Sequence, residues 1–308
     1  PGAAGPGRLP AWLWGQAPDG AWRVLDPNSA SDADLWFVYA LAEAARLWGH
    51  PAYLRDARTL LATVESLEVS EVPNFGTMLR PGSTGFVQDG GRHWQFNPSY
   101  LPVPVLRRLA ALSPRGPWSR IADNTAALVQ QAGKAQGLVP DWMAYAVDAQ
   151  GAWGFAPHTD KGSTGSYDAI RSYLWAGMTP AADPLATRMM QSLRGLAAIL
   201  ARTGTLPESV DAITGDEKGT APFGFSAALL PYLETARAPA QRVQDRRRHV
   251  EQELARVLAE PAAAAKQPPY YDIVLSLFGM GWSDRQYRFS RAGELSPSWT
   301  SECKTSTS

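Results

Sequence analysis

The sequence predicts an all-α fold in which paired helices form an (α/α) toroid, and three observations carry that expectation. Apolar residues recur at helical spacing in one segment after another, with little that reads as strand. The helical segments fall mostly in adjacent pairs. Between them run long connections rich in Gly, Pro and aromatics, at 72–98, 137–165 and 203–222. Connections of this length in a compact domain are usually functional loops or short hairpins. Elaborate connections gathered on one side of paired helices describe a toroid with a cleft across its loop face. No repeat of fixed period is visible, which argues against a regular solenoid.

The first helix is expected over 31–49, where Leu35, Val38, Ala42 and Ala45 keep helical spacing, Ser31 and Asp34 resemble a capping box and Gly49 is a stop. Pro51 then opens a second helix at its first turn, carrying Leu54, Ala57, Leu60, Leu61 and Val64. Further helices are expected at 99–112, 117–133, 166–178, 184–203, 223–236, 239–259 and 270–279, nine in all. The run Arg246, Arg247 and Arg248 sits on one of them with Asp245, Glu251 and Glu253 nearby, and reads as a solvated face. Residues 1–308 read as one domain, with a flexible tail at 304–308.

The balance of 29 basic and 29 acidic side chains leaves no electrostatic footprint for nucleic acid or an anionic membrane. No apolar run approaches the roughly 18 residues that would span a bilayer, so no membrane insertion is expected. The single Cys303 excludes a disulfide within the chain and any multi-Cys metal site; it is either an unpaired thiol or has its partner elsewhere. The four His residues lie far apart without zinc-ligand spacing, and no nucleophile elbow, P-loop or dinucleotide fingerprint occurs. No metal or cofactor is therefore expected. What remains is carboxylates set among aromatics, the equipment of glycoside hydrolysis. The 12 Trp residues suit this, because an indole fills cores and also stacks on the apolar face of a sugar ring.

Two acids stand where a loop enters a helix: Asp32, just before Leu35-Trp36, and Asp168, just before Ser172-Tyr173. Either could simply stabilise its helix start. A helix N-terminus favours the charged form, and Arg171 follows Asp168 by three residues. Charged carboxylates can activate water or stabilise an oxocarbenium-like transition state but are poor general acids, so a third carboxyl is required.

Ordered segments then carry a resemblance. Leu9-Pro10-Ala11-Trp12-Leu13-Trp14-Gly15 precedes Asn28-Ser29-Ala30-Ser31-Asp32-Ala33-Asp34, followed by Phe96-Asn97-Pro98-Ser99-Tyr100, Pro140-Asp141-Trp142 and Ser166-Tyr167-Asp168-Ala169-Ile170-Arg171. Gly224-Phe225-Ser226-Ala227-Ala228-Leu229 and Leu277-Phe278-Gly279-Met280-Gly281-Trp282 complete the set. Together they resemble glycoside hydrolase family 8 over nearly the whole chain. The resemblance is to its members linked functionally with the bacterial cellulose synthase complex. It implies an (α/α)6 barrel and endo-acting, inverting hydrolysis of β-1,4-glucan, with cello-oligosaccharides as ligands and a periplasmic or secreted location. It implies Asp168 as the base that activates water, Asp32 as the carboxylate that orients the sugar at the cleavage point, and Tyr167 and Arg171 as residues that position Asp168 and the sugar beside it. Trp12, Trp14, Asn97, Tyr100 and Trp142 are expected on the substrate side, with Trp94 and Trp153 as further candidates, whereas Trp36, Trp48 and Trp175 are expected in the core.

One departure stands beside the match. The family's general acid is a Glu in a Ser-Glu-Gly-Gln-x-Tyr-Gly motif some distance before the signature aspartate, and no such motif occurs in this sequence. The expectation is a barrel incomplete at its N-terminus and strongly impaired in turnover, with Glu208 the only substitute acid worth testing. A non-catalytic glucan-binding module and a xylan or chitosan hydrolase of the same family are the alternatives.

Overall fold

The computed structural model describes residues 7–259 and 269–300, so Cys303 and the tail at 304–308 lie outside the described residues. In chain order, hairpin β1 (Leu13–Gln16) and β2 (Trp22–Asp26) leads into α1 (Ser31–Trp48) and α2 (Pro51–Leu67). A second hairpin, β3 (Val69–Val72) and β4 (Gly76–Leu79), is followed by β5 (Val87–Gln88), β6 (His93–Phe96), α3 (Val103–Leu112) and α4 (Trp118–Ala132). Then come β7 (Met143–Val147), β8 (Trp153–Pro157), β9 (Thr164–Gly165), α5 (Ala169–Met178), α6 (Ala186–Ser192) and α7 (Gly195–Thr203). The chain continues through β10 (Ser209–Asp211), β11 (Glu217–Lys218), α8 (Phe223–Thr235), α9 (Ala240–Ala259), α10 (Tyr270–Ser283), β12 (Tyr287–Phe289) and β13 (Leu295–Pro297). Contacts divide the chain into two compact units, one of Pro1–Ala127, Trp142–Gly162 and Ala292–Glu294, the other of Leu128–Asp141, Ser163–Arg291 and Leu295–Ser308.

Helix α1 ends where the sequence predicts, because Gly49 adopts a left-handed conformation (φ 68°) that an L side chain resists. Its start differs from the expected capping box. The N-cap is Ala30, with no side-chain cap hydrogen bond, and Asp34 is buried instead of reaching back along the helix. The buried face of α1 is Leu35, Val38, Tyr39, Ala42 and Glu43. Trp48, expected in the core, is 71% exposed. At about 100° per residue it falls well off that face. Trp175 is buried as expected. Glu43, buried in α1, bonds Arg46 at 2.6 Å and Arg108 of α3 at 2.6 Å.

The connections contain more strand than expected. In the first unit β5, β6, β7 and β8 form one antiparallel sheet, with His93–Phe96 paired to Met143–Ala146. In the second, β9, β10 and β11 form another. Ten α-helices occur among the described residues rather than nine, because the segment expected at 184–203 is two helices. The Gly195 N–H donates to Gly137 O at 2.7 Å, which takes it out of a continuous helical ladder. The segment expected at 99–112 is a 3-10 turn, Pro98–Tyr100, followed by α3, since Pro102 disfavours helical geometry at Leu101 (φ −120°, ψ 65°).

In the second unit α8 packs against α5, α9 and α10. It is buried from Phe223 to Leu233, and Gly279 is what lets α10 approach it: a Cβ there would lie 1.9 Å from Ala227 O. The arginine run of α9 pairs with acids, Arg247 with Glu251 at 3.0 Å and Arg248 with Asp245 at 3.3 Å.

Candidate active site

Asp168 occupies the N-cap position of α5, and its position is fixed by a neighbour 27 residues earlier. Asp141 Oδ1 accepts the backbone N–H groups of Ser166 (2.8 Å), Asp168 (3.1 Å) and Ala169 (2.7 Å). These donations shape the turn from 166 to 168, so the helix begins at Ala169 and not at 166. Burial raises the Asp141 carboxyl above its usual range; the three N–H groups oppose that rise, and the nearby Asp168 adds to it.

Arg171 Nη2 pairs with Asp168 Oδ1 at 3.0 Å. Arg171 Nη1 reaches Tyr271 Oη at 3.3 Å, and the Tyr271 hydroxyl donates to the Tyr167 carbonyl. Tyr167 is 44% exposed, leans edge-on against Phe225 and donates from its hydroxyl to Glu208 Oε1 at 3.0 Å. Burial, then this bond to Glu208, raises the Tyr167 hydroxyl. Glu208 thus serves as an acceptor for Tyr167. The second unit therefore brings together Tyr167, Asp168 and Arg171, as the motif spacing implies. It adds Asp141 and Tyr271, whose roles sequence reasoning missed. The only signal for Asp141 was its place in the Pro140-Asp141-Trp142 motif, and Tyr271 had none beyond its predicted helix.

The first unit holds Asp32 in the first turn of α1, half exposed, with Oδ1 accepting from Ala33 N at 2.8 Å. It also brings Tyr100 and Trp142 together. Trp142 stacks with Phe86 at 5.9 Å and 8°, meets Tyr100 edge-on at 5.9 Å and has Lys161 Nζ 5.9 Å from its ring centre. His158 is buried beside the same ring, and burial lowers its pKa. A half-exposed indole backed by aromatics is a platform for the apolar face of a sugar. Trp14 stacks on Trp22 at 4.8 Å across the β1–β2 hairpin, with Trp12 also exposed. Asn97 is buried, and its Oδ1 accepts from Ser99 N and Oγ to form the turn before α3. Trp94, another substrate-side candidate, is buried, and its indole N–H donates to Gly91 O at 2.9 Å. Trp153 stacks on Tyr145.

Among the described residues no cluster of three or more His, Cys, Asp or Glu could hold a metal ion, and no helix is long and apolar enough to cross a membrane. Within the second unit, a carboxylate held at a helix start by backbone N–H groups and a guanidinium is the kind of group that glycosidases use in pairs of acids.

Comparison with known proteins agrees with this chemistry. The family model described as glycosyl hydrolases family 8 matches residues 5–285. An endoglucanase of Xanthomonas axonopodis pv. citri (strain 306) is 45% identical over 300 residues, covering 97% of this chain and 74% of that protein. An endoglucanase of Pseudomonas fluorescens (strain SBW25) is 43% identical over 301 residues, covering 96% and 75%. The crystal structure of an endo-1,4-D-glucanase from Vibrio fischeri ES114 matches with a TM-score of 0.86 at 35% identity, covering 96% of this chain and 81% of that one. The all-α fold class of (α/α)6 type expected from the sequence is that of these solved relatives.

Proposed function

The chain belongs to glycosyl hydrolases family 8, and from that membership we propose that it cleaves β-1,4-glucan at internal bonds with inversion at the anomeric carbon. The observation that carries the reading is the geometry around Asp168, a carboxylate fixed by backbone bonds to Asp141 and by Arg171. In this reading Asp168 takes a proton from water as the water attacks the anomeric carbon. Asp32 holds the hydroxyls of the reacting sugar and offsets the positive charge that develops on its ring. Trp142, Tyr100, Trp12 and Trp14 bind flanking sugars by stacking. The endoglucanase names of the similar proteins, and the endo-1,4-D-glucanase name of the Vibrio fischeri structure, support a 1,4-linked glucan as the substrate. We also propose that the work is done outside the cytoplasm, beside the cellulose synthase complex, a setting supported by the motif resemblance alone.

A leaving group that needs little protonation isolates the base. With β-cellobiosyl fluoride the C–F bond breaks as water adds and Asp168 takes the proton, giving α-cellobiose and fluoride. Asp168→Asn should lower this rate about 10²–10⁴-fold while leaving cello-oligosaccharide binding in place. Undiminished fluoride release by that variant, or a β-configured first product by NMR, would overturn the assignment. Tight binding of cello-oligosaccharides with no hydrolysis of the fluoride would instead favour a glucan-binding module.

A further inference from the structure

The segment carrying Asp32 rests on a buried polar cluster that the mechanism above leaves unused. Asp34, two residues on, is 1% exposed, and Glu68 at the end of α2 is fully buried. Their carboxyls are within hydrogen-bonding reach of each other. Glu68 Oε1 accepts from Ser29 Oγ at 2.6 Å, yet Asp34 Oδ2 and Glu68 Oε2 receive no hydrogen bond from any donor. Two ionised acids here would repel each other, and each would leave a buried acceptor unmet. A single proton removes both penalties, since the O–H of one acid then donates to the carboxylate of the other.

The charged groups around the pair leave both oxygens unmet: Arg80 Nε, like Ser31 Oγ, is buried and makes no hydrogen bond of its own. From α1 the neighbour is Asp32, whose charge opposes ionisation of both acids. From the loop after β4 it is Arg80, whose charge favours ionised Glu68 but whose Nη1 donates to Ser83 O (2.7 Å) and Nη2 to Leu67 O. The same cluster ties down the Asp32 segment. Ser83 N donates to Ser29 Oγ at 3.0 Å, Ser31 N to Pro81 O at 2.9 Å and Arg80 N to Glu68 O at 2.9 Å. Asn28 Oδ1 accepts from Ser83 Oγ at 3.0 Å and Thr84 N at 3.2 Å.

We propose that Asp34 and Glu68 share one proton in a buried hydrogen bond and that this bond holds the Asn28–Asp32 segment in register, making both acids positioning residues for Asp32. The positioning half rests on the reading of Asp32 given above; the shared proton does not. Burial, then the adjacent Glu68, pushes the Asp34 carboxyl up to about 8, and burial likewise raises Glu68. An acid raised in the fold keeps a proton that the unfolded chain releases near pH 4. Its contribution to stability is therefore full below about pH 4 and is lost as pH rises toward about 8.

Thermal unfolding of the whole chain from pH 4 to 9 tests the proton directly. Asp34→Asn carries a permanent donor in place of the acid, so the fall in Tm that the wild type shows toward pH 9 should flatten in the variant. Glu68→Gln should flatten it likewise. Parallel pH curves for the wild type and both variants would overturn the shared proton. For positioning, the readout is kcat/KM on β-cellobiosyl fluoride across the same pH range. Asp34→Ala, which leaves Glu68 without its partner, should lose about 10²-fold, as displaced catalytic geometry does. Asp34→Asn should recover most of that loss and carry activity further into alkali than the wild type. A folded Asp34→Ala with wild-type kcat/KM would refute the positioning role. If Asp34→Ala does not fold, an alkaline limb of Asp34→Asn superimposed on that of the wild type would refute it equally. A wild type inactive on the fluoride would remove the role of Asp32, and positioning with it, while the unfolding curves would still decide the proton.

Discussion

A single carboxylate oxygen of Asp141 accepts three backbone N–H groups in the turn before α5, so the direction in which Asp168 points is set by a residue that need not touch substrate. Asp141→Ala would strand those donors in a partly buried turn, at a cost of about 2 kcal/mol. Asn keeps an acceptor at the same atom. We therefore expect Asp141→Ala to lower both denaturant stability and fluoride hydrolysis, with Asp141→Asn close to wild type in stability; equal stability of all three proteins would show the turn to be held otherwise. Asp168 and Arg171 are legible in sequence because their pairing is local, three residues apart on one helix start. The roles of Asp141 and Glu68 are not, because each acts on a partner 25 or more residues away. Trp48 misleads for another reason: residue type says buried, while its angle on α1 says exposed.

Helix boundaries were legible wherever a local signal fixed them, as Pro51 and Gly49 did, and illegible where a distant backbone group intervened, as Gly137 does at Gly195. The strands fall in the second class. They are two to five residues long, and β6 finds its partner β7 only after α3 and α4 have intervened, so no local periodicity reveals them. Helix packing holds its own hidden element. Glu43 is 3% exposed and Arg108 9%, and their bond at 2.6 Å ties α1 to α3 through the buried interior. Removing one member of a buried pair leaves the other charge uncompensated, at a cost of about 3–5 kcal/mol. Glu43→Ala should show a loss of that size in chemical denaturation. A change below about 1 kcal/mol would mean that Arg108 finds water or another acceptor, as exposed pairs do.

At the scale of the whole molecule, the helix succession and the ordered motifs carried the fold class and the family, but not the division into two units. That division depends on contacts that return residues 142–162 and 292–294 to the unit of the first 127. Charge is the other whole-molecule property, and it separates the remaining substrate readings. The chain has 29 basic and 29 acidic side chains, and in its arginine-rich helix α9 Arg247 and Arg248 pair with Glu251 and Asp245. A neutral glucan is bound by stacking and hydrogen bonds, which added salt screens little, whereas a polycationic chitosan needs an uncompensated acidic surface whose attraction weakens as the screening length falls from about 30 Å at 0.01 M to about 10 Å at 0.1 M ionic strength. Binding of cellohexaose, measured by calorimetry across that salt range, should therefore change less than about twofold. A steep salt dependence with chitosan oligomers, accompanied by weak binding of cellohexaose, would transfer the substrate assignment from the neutral glucan to the cationic one.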